Sequence, residues 1–153
     1  MAPDEKIETI DAFNRIPIII ESVFHISCSI IRLKNNNSEF GISQSIKLGI
    51  SNSFNNAYMF IVCDQPHIKK ETINKFINEF IRSKKNLGCV SNDGILLNPT
   101  IFTDKYKDKL LKLDGDKGGK KIILKNIDDL FIFDVLEKRE LIDIDYKSQL
   151  ENK

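Results

Sequence analysis

Two acidic motifs, distant from each other in the sequence, contain the side chains best suited to bind a metal ion. Asp64 follows an apolar run at residues 59–63, whereas Asp143 and Asp145 flank Ile144 near the C-terminus. In an extended segment, residues two apart share a face, so one carboxylate could complete a metal site while the other holds a backbone turn. Magnesium is commonly bound by one or two carboxylates, together with phosphate oxygens and water. Spacing alone leaves two alternatives open: Asp64 as a helix cap, and the acidic pair as a solvated surface.

The elements that must position these carboxylates alternate as in an α/β domain. Ser43 is expected to cap a first helix, and residues 59–63 read as a short strand that is buried on both faces. The spacing of apolar residues at i, i+3, i+4, i+7 and i+8 predicts a second helix over residues 73–81. The predicted apolar faces are Ile46, Ile50, Phe54 and Ala57 for the first helix, and Ile73, Phe76, Ile77, Phe80 and Ile81 for the second.

The second half of the chain predicts more strands and two shorter helices. Residues 87–90 and 95–102 are predicted to form two antiparallel strands around an Asp-Gly turn, and this antiparallel pair makes the predicted sheet mixed. A helix that Thr103 caps should bury Tyr106, Leu110 and Leu113, and residues 122–124 should lie on another short helix. Residues 130–133 and 141–142 are predicted strands. Both acidic motifs would then lie at strand ends, where open α/β sheets bind their ligands.

Composition favours a single domain that acts on small molecules. The chain has 153 residues, and its 23 basic and 22 acidic side chains give a net charge of +1, which indicates neither nucleic-acid nor membrane binding. Cys28, Cys63 and Cys89 fit neither a disulfide framework nor a zinc site, so we expect a reduced, cytoplasmic protein with Cys63 as a core thiol. Residues 16–31 are apolar, but they contain Pro17 and Glu21 and resemble neither a signal peptide nor a membrane span.

Five motifs, taken in order, resemble the molybdenum cofactor cytidylyltransferase branch of the MobA-like NTP transferase family. That branch has a Gly-x-Ser-x-Ser loop, Asp-Gln-Pro, Gly-Asn-Pro, a Gly-Asp-x-Gly-x-Arg loop and a closing Asp-Ile-Asp-Thr. The matching positions here are Gly41-Ile42-Ser43-Gln44-Ser45, Asp64-Gln65-Pro66, Asn98-Pro99, Gly115-Asp116-Lys117-Gly118 and Asp143-Ile144-Asp145. The resemblance implies a Rossmann-like, three-layer α/β/α nucleotidyltransferase domain of the GT-A-like type, with a mixed and mostly parallel sheet.

The resemblance also implies a reaction and a set of site residues. Asp64 and Asp145 would coordinate Mg²⁺ that bridges the nucleotide phosphates, and Gly41, Ser43 and Ser45 would line the nucleotide side. The reaction would transfer a cytidylyl group from CTP to a molybdopterin-type cofactor with release of pyrophosphate, and a molybdoenzyme or maturation protein is a candidate partner. The residues that would contact the second substrate are Gln65, Pro66, Asn98, Pro99, Gly115, Asp116, Gly118 and Lys120.

The chain also departs from the family pattern at several positions. The family opens with a glycine-rich loop that grips the triphosphate, but residues 1–34 contain no glycine. Leu97, Lys120 and Tyr146 replace a glycine, an arginine and a threonine of the later motifs. We therefore expect a divergent segment at 1–34 and a partial, N-terminally truncated domain at 35–153. Two alternatives to an active enzyme follow: a non-catalytic nucleotide- or cofactor-binding module, and an inactive fragment.

Overall fold

The computed structural model of the chain describes residues 33–144, which contain a mixed four-stranded sheet. Its strands are β1 (Ala57–Phe60), β2 (Leu87–Asn92), β3 (Ile95–Thr103) and β4 (Leu130–Asp134), and their spatial order is β1-β3-β2-β4. β3 is antiparallel to both β1 and β2, whereas β2 and β4 are parallel. Three of the four strands therefore point in one direction, which agrees with the predicted mixed sheet.

The β2–β3 hairpin turns at Asp93 and Gly94, as the sequence predicts. Both residues have positive φ angles, of 50° and 77°. A two-residue turn of this kind requires left-handed backbone at both positions, and Asp-Gly pairs tolerate it well. The hairpin register brings Leu87 opposite Phe102 in the centre of the domain.

Helices cover both faces of the sheet and produce the expected three layers. α1 (Ile42–Ser51), α3 (Lys107–Leu111) and α4 (Lys120–Leu124) contribute to a core on one face, and α2 (Lys70–Ser83) packs on the other. The first core is centred on residues that are fully buried, namely Ile50, Leu87, Phe102, Leu110 and Ile123. The second core contains Phe76, Phe80, Val90, Ile101 and Phe133. The predicted apolar face of α2 is therefore confirmed at Phe76 and Phe80, whereas Ile81 is 58% exposed.

Three local predictions around the first helix and β1 were wrong. α1 ends at Ser51, so Phe54 is 99% exposed and Ala57 lies in β1. The polar run Ser51-Asn52-Ser53 ends the helix before its apolar face continues. The N-cap is Gly41 and not Ser43, whose side chain is buried. β1 ends at Phe60, so Cys63 is an exposed thiol in the following turn.

The predicted strand at residues 141–142 was also wrong. A 3-10 helix occupies Lys138–Leu141, and the chain then continues without strand pairing to Ile144. Two apolar residues are too few for a strand here, and buried Glu140 ties this segment to α2 instead. The Asp143 motif therefore reaches the site by docking onto a loop and not by ending a strand.

Candidate functional site

The turn after β1 places Asp64, Gln65 and Pro66 between the sheet and α2. Gln65 is 4% exposed, and Asp64 is half-buried. Cys63 is exposed as a residue, but partial desolvation of its sulfur raises the pKa of the thiol, and the negative charge of Asp64 raises that pKa further. The carboxylate therefore lies close to the thiol, at the edge of the sheet where β1 ends.

The C-terminal acidic motif docks directly onto this turn. The main-chain N–H of Ile144 donates to the carbonyl oxygen of Asp64 at 2.8 Å. Nε2 of Gln65 donates to Oδ1 of Asp143 at 2.9 Å and to the carbonyl oxygen of Leu141 at 3.5 Å. The fold thus brings the two acidic motifs together. Asp145 follows Ile144 in the sequence but lies outside the described residues, so its role as a ligand stays a prediction.

Glu140 holds the beginning of this C-terminal segment on the first turn of α2. Its carboxylate is buried, accepts the main-chain N–H of Lys69 at 3.1 Å, and lies 3.3 Å from the ammonium of Lys69. Burial by itself raises the pKa of Glu140, but hydrogen bonds from Thr72 and Lys69 outweigh it and hold that pKa below its usual range. A carboxylate at a helix N-terminus is favoured by the helix dipole as well. Nothing in the sequence distinguishes Glu140 from a surface charge in Glu137-Lys138-Arg139-Glu140.

The start of α1 is joined to the glycine-rich loop at residues 114–119. The main-chain N–H of Ile42 donates to Oδ1 of Asp116 at 3.3 Å, and that of Ser43 donates to the carbonyl oxygen of Gly115 at 3.2 Å. Gly41 makes this approach possible, since a Cβ there would lie 2.5 Å from the Gly115 carbonyl carbon. The close backbone contact expected for a ligand is therefore made by the chain itself. Two N–H donors at this helix start are already engaged.

The remaining predicted site residues are distributed around the same half of the domain. Ser45 accepts a hydrogen bond from the side chain of Asn35 at 2.9 Å. Asn98 and buried Pro99 lie in a bulge of β3, next to the residues that pair with the end of β1. Exposed Lys120 begins α4, and its charge partly offsets the burial that raises the pKa of the Cys89 thiol to about 11. The roles of Asn98, Gly118 and Lys120 in binding a substrate stay predictions.

A cleft of about 270 Å³ lies on the outer side of α1. The side chains that line it are mostly polar, and Lys34 and Lys47 give it positive charge. The cleft is a concave polar surface beside α1, and its lining does not include Asp64.

The donor set around Asp64 fits a hard divalent cation only in part within residues 33–144. No group of three or more His, Cys, Asp or Glu side chains in that range is arranged to hold a metal ion. Such a group is not required, because magnesium is often held by one or two carboxylates with phosphates and water. Oxygen donors from Asp64 and the adjoining acidic segment are of the correct chemical type.

A sequence model of the MobA-like NTP transferase domain matches residues 21–130, which is more than half of the chain. The chain belongs to the MobA-like NTP transferase family. The match begins before the described residues and ends where β4 begins, so it includes α1, the turn after β1 and the β2–β3 hairpin. No curated protein matches the sequence. In the part of the chain from 33 to 144, no helix is long and apolar enough to cross a membrane.

Solved structures from mycobacteria share the fold of this chain. Rv0371c from Mycobacterium tuberculosis H37Rv has a TM-score of 0.58 and 16% identity, over 71% of this chain and 56% of that one. Its homolog from Mycobacterium sp. strain JC1 has a TM-score of 0.57 and 17% identity, over 70% and 54% of the two chains. Rv0371c in complex with manganese has a TM-score of 0.53 and 17% identity, over 60% and 49%. This MobA-like chain therefore spans about half the length of the structures that it matches.

Proposed function

We propose that the protein is a metal-dependent nucleotidyltransferase that binds a nucleoside triphosphate beside the turn after β1. The docking of the C-terminal acidic segment onto Asp64 and Gln65 carries this proposal. The hydrogen bond from Gln65 holds Asp143 at the turn that carries Asp64, so acidic residues from two distant motifs collect at one end of β1. The arrangement suits a cation that is shared with substrate phosphates.

Asp64 and Asp145 would hold the cation, while Asp143 stays engaged with Gln65. Phosphoryl-group chemistry of this kind depends on positioning and charge neutralisation more than on a general base. A divalent cation would supply that neutralisation at the reacting phosphates. Magnesium is our choice because of its preference for oxygen ligands. The manganese complex of Rv0371c supports a divalent cation in a protein of this fold.

The site would hold two substrates, a nucleotide and an acceptor phosphate. CTP is the favoured nucleotide, with Gly41, Ser43 and Ser45 on its side of the site. The acceptor is a molybdopterin-type phosphate that would contact Asn98 and the loop at residues 114–120. An oxygen of the acceptor phosphate attacks the α-phosphorus, the bond from the α-phosphorus to the bridging oxygen breaks, and pyrophosphate leaves. These assignments rest on the motif order described above.

A non-catalytic nucleotide- or cofactor-binding module is the second candidate. One observation favours it: the N–H groups of Ile42 and Ser43 bind Asp116 and Gly115, so the start of α1 offers fewer donors to a triphosphate. Such a module would bind nucleotide with measurable heat and yet release no pyrophosphate. Calorimetry with CTP and GTP, carried out beside the activity assay, separates the two candidates.

The test of the proposed activity uses the full chain with Mg²⁺, each of the four nucleoside triphosphates in turn, and a molybdopterin acceptor. Pyrophosphate release and transfer of an α-phosphate label to the acceptor should both appear, most strongly with CTP. Asp64→Asn should lower the rate by at least about 100-fold, since it removes a charge from the proposed metal site. Glu137→Gln is the matched control, because Glu137 is an exposed carboxylate that forms a surface pair with Lys69. Equal rates for these two variants would contradict the proposal.

A further inference from the structure

We infer that Gln65 is a positioning residue, which seats residues 143–144 of the acidic segment against the turn that carries Asp64, through its contact with Asp143. This inference rests on the proposed metal-dependent function, and it differs from the expectation that Gln65 contacts the second substrate. Gln65 is 4% exposed and lies between the turn after β1 and the C-terminal segment. A side chain so deeply enclosed has little surface left for a substrate.

The orientation of the Gln65 amide follows from its partners. Oδ1 of Asp143 lies 2.9 Å from Nε2, and the carbonyl oxygen of Leu141 lies 3.5 Å from the same nitrogen. Both partners are acceptors, so the nitrogen and not the oxygen of the amide must face them. The two N–H groups of Gln65 are thus directed at the C-terminal segment, and no donor remains to bind a phosphate or a pterin.

The same contact separates the roles of the two aspartates in the closing motif. One carboxylate oxygen of Asp143 accepts a hydrogen bond from Gln65, which holds Asp143 against the turn after β1. The next residue, Ile144, is held by the main chain of Asp64 at 2.8 Å. Two consecutive residues are therefore fixed to the turn that carries Asp64. The residue that follows them, Asp145, is left as the proposed cation ligand.

A second, independent anchor makes this role testable apart from folding. Glu140 fixes the beginning of the segment to Lys69 at the start of α2, and it does not involve Gln65. Removal of the Gln65 amide should therefore release only the end of the segment that lies next to Asp64. Partners that orient a metal ligand typically change metal affinity by about 10- to 100-fold when they are removed. We expect a loss of that size for Gln65 variants, with Glu140 still holding the segment.

The experiment measures Mn²⁺ binding by the electron paramagnetic resonance signal of the free ion, and hydrogen exchange of single amides in the metal-free protein. Gln65→Leu and Gln65→Glu should weaken Mn²⁺ binding about 10-fold or more. They should also speed hydrogen exchange of the Ile144 amide by a similar factor. The Lys69 amide, which donates its hydrogen bond to Glu140, should keep its exchange rate. The double variant Gln65→Glu with Asp143→Asn reverses donor and acceptor, and it should recover much of both losses.

The outcomes separate this inference from the proposed function. Unchanged Ile144 exchange and Mn²⁺ affinity in Gln65→Leu would overturn the positioning role, even if the wild-type protein were an active enzyme. Exchange and Mn²⁺ affinity that depend on Gln65, in a wild-type protein that releases no pyrophosphate, would support positioning and reject the enzymatic proposal. If Gln65→Leu does not fold, Asp143→Ala removes the acceptor of the same hydrogen bond from the exposed side. Absence of Mn²⁺ binding to the wild-type protein would overturn the cation role.

Discussion

Substitution of Gly41 by alanine should destabilise the protein more than the same change at Gly94 or Gly118. Gly41 has a φ of 90° and a ψ of 176°, a region that is almost restricted to glycine and costs other residues about 1–3 kcal/mol. The added Cβ would lie 2.5 Å from the carbonyl carbon of Gly115 and 2.5 Å from Oδ1 of Asp116. Since one of these contacts is main chain, the loop must move away.

Movement of that loop would also break the two hydrogen bonds from the start of α1 to Gly115 and Asp116. Each contributes about 1 kcal/mol net, so the total loss for Gly41→Ala is about 3–5 kcal/mol. A domain of this size is stable by only about 5–15 kcal/mol. Urea denaturation, followed by far-ultraviolet circular dichroism, should show a large shift of the unfolding midpoint.

Two other glycines provide matched controls for Gly41→Ala. Gly94 has a φ of 77° but open space around it, so Gly94→Ala should cost only the backbone strain, about 1–2 kcal/mol. Gly118 has open space and no positive φ, so Gly118→Ala should change stability by less than about 0.5 kcal/mol. Equal losses for Gly41→Ala and Gly94→Ala would refute the close contact between α1 and the glycine-rich loop.

Two further predictions concern Asp129, which is half-buried, and Glu140, which is buried. Burial raises the pKa of Asp129, but hydrogen bonds from Lys105, Asn86 and Tyr106 outweigh it and hold that pKa well below the usual 3.8. The contribution of the Asp129 carboxylate to the free energy of unfolding is therefore present above pH 3.8 and is lost as the pH falls further. Asp129→Asn should cost about 1–3 kcal/mol at pH 7 and should flatten the acid limb of a stability–pH profile. An unchanged acid limb would contradict this. Glu140→Gln should cost about 1–3 kcal/mol in urea denaturation, whereas Glu137→Gln, in an exposed pair, should cost less than about 1 kcal/mol; equal losses would exclude Glu140 as an anchor.

The sequence predicted the central elements of the fold because their apolar spacing is regular. Phe76 and Phe80 repeat at helical spacing on α2, and Asp93-Gly94 is a strong turn signal between two strands. The ends of elements were less predictable, since they depend on contacts with other segments. Phe54 continues the apolar spacing of α1, but the chain leaves the helix at Asn52 to enter β1.

The contacts that assemble the candidate site could not be read from local patterns. Glu140 belongs to a charged run, and only the docked fold shows that its carboxylate is buried at the start of α2. Gln65 is recognisable as part of a motif, but its partner Asp143 lies far along the chain. The motif order placed Gln65 and Asp143 in one family pattern, but the roles of the site residues stay predictions. It did not predict that Asp116 and Gly115 bind the start of α1, because local spacing gives no information about a loop that returns from a distant part of the chain.

The N–H groups of Ile42 and Ser43 at the start of α1 already donate to the glycine-rich loop, which affects how a triphosphate would be held. The N-terminus of a helix is normally a favourable anion site, because its N–H groups and its dipole both point at the ligand. Here the carboxylate of Asp116 already accepts from Ile42, so a phosphate at the same position would have to displace a negative charge. If the proposed function holds, we therefore expect neutralisation of the phosphates to come mainly from the Asp64 side of the site. A nucleotide should then bind weakly without a divalent cation and much more tightly with one, and Asp116→Asn should reduce that dependence on the cation.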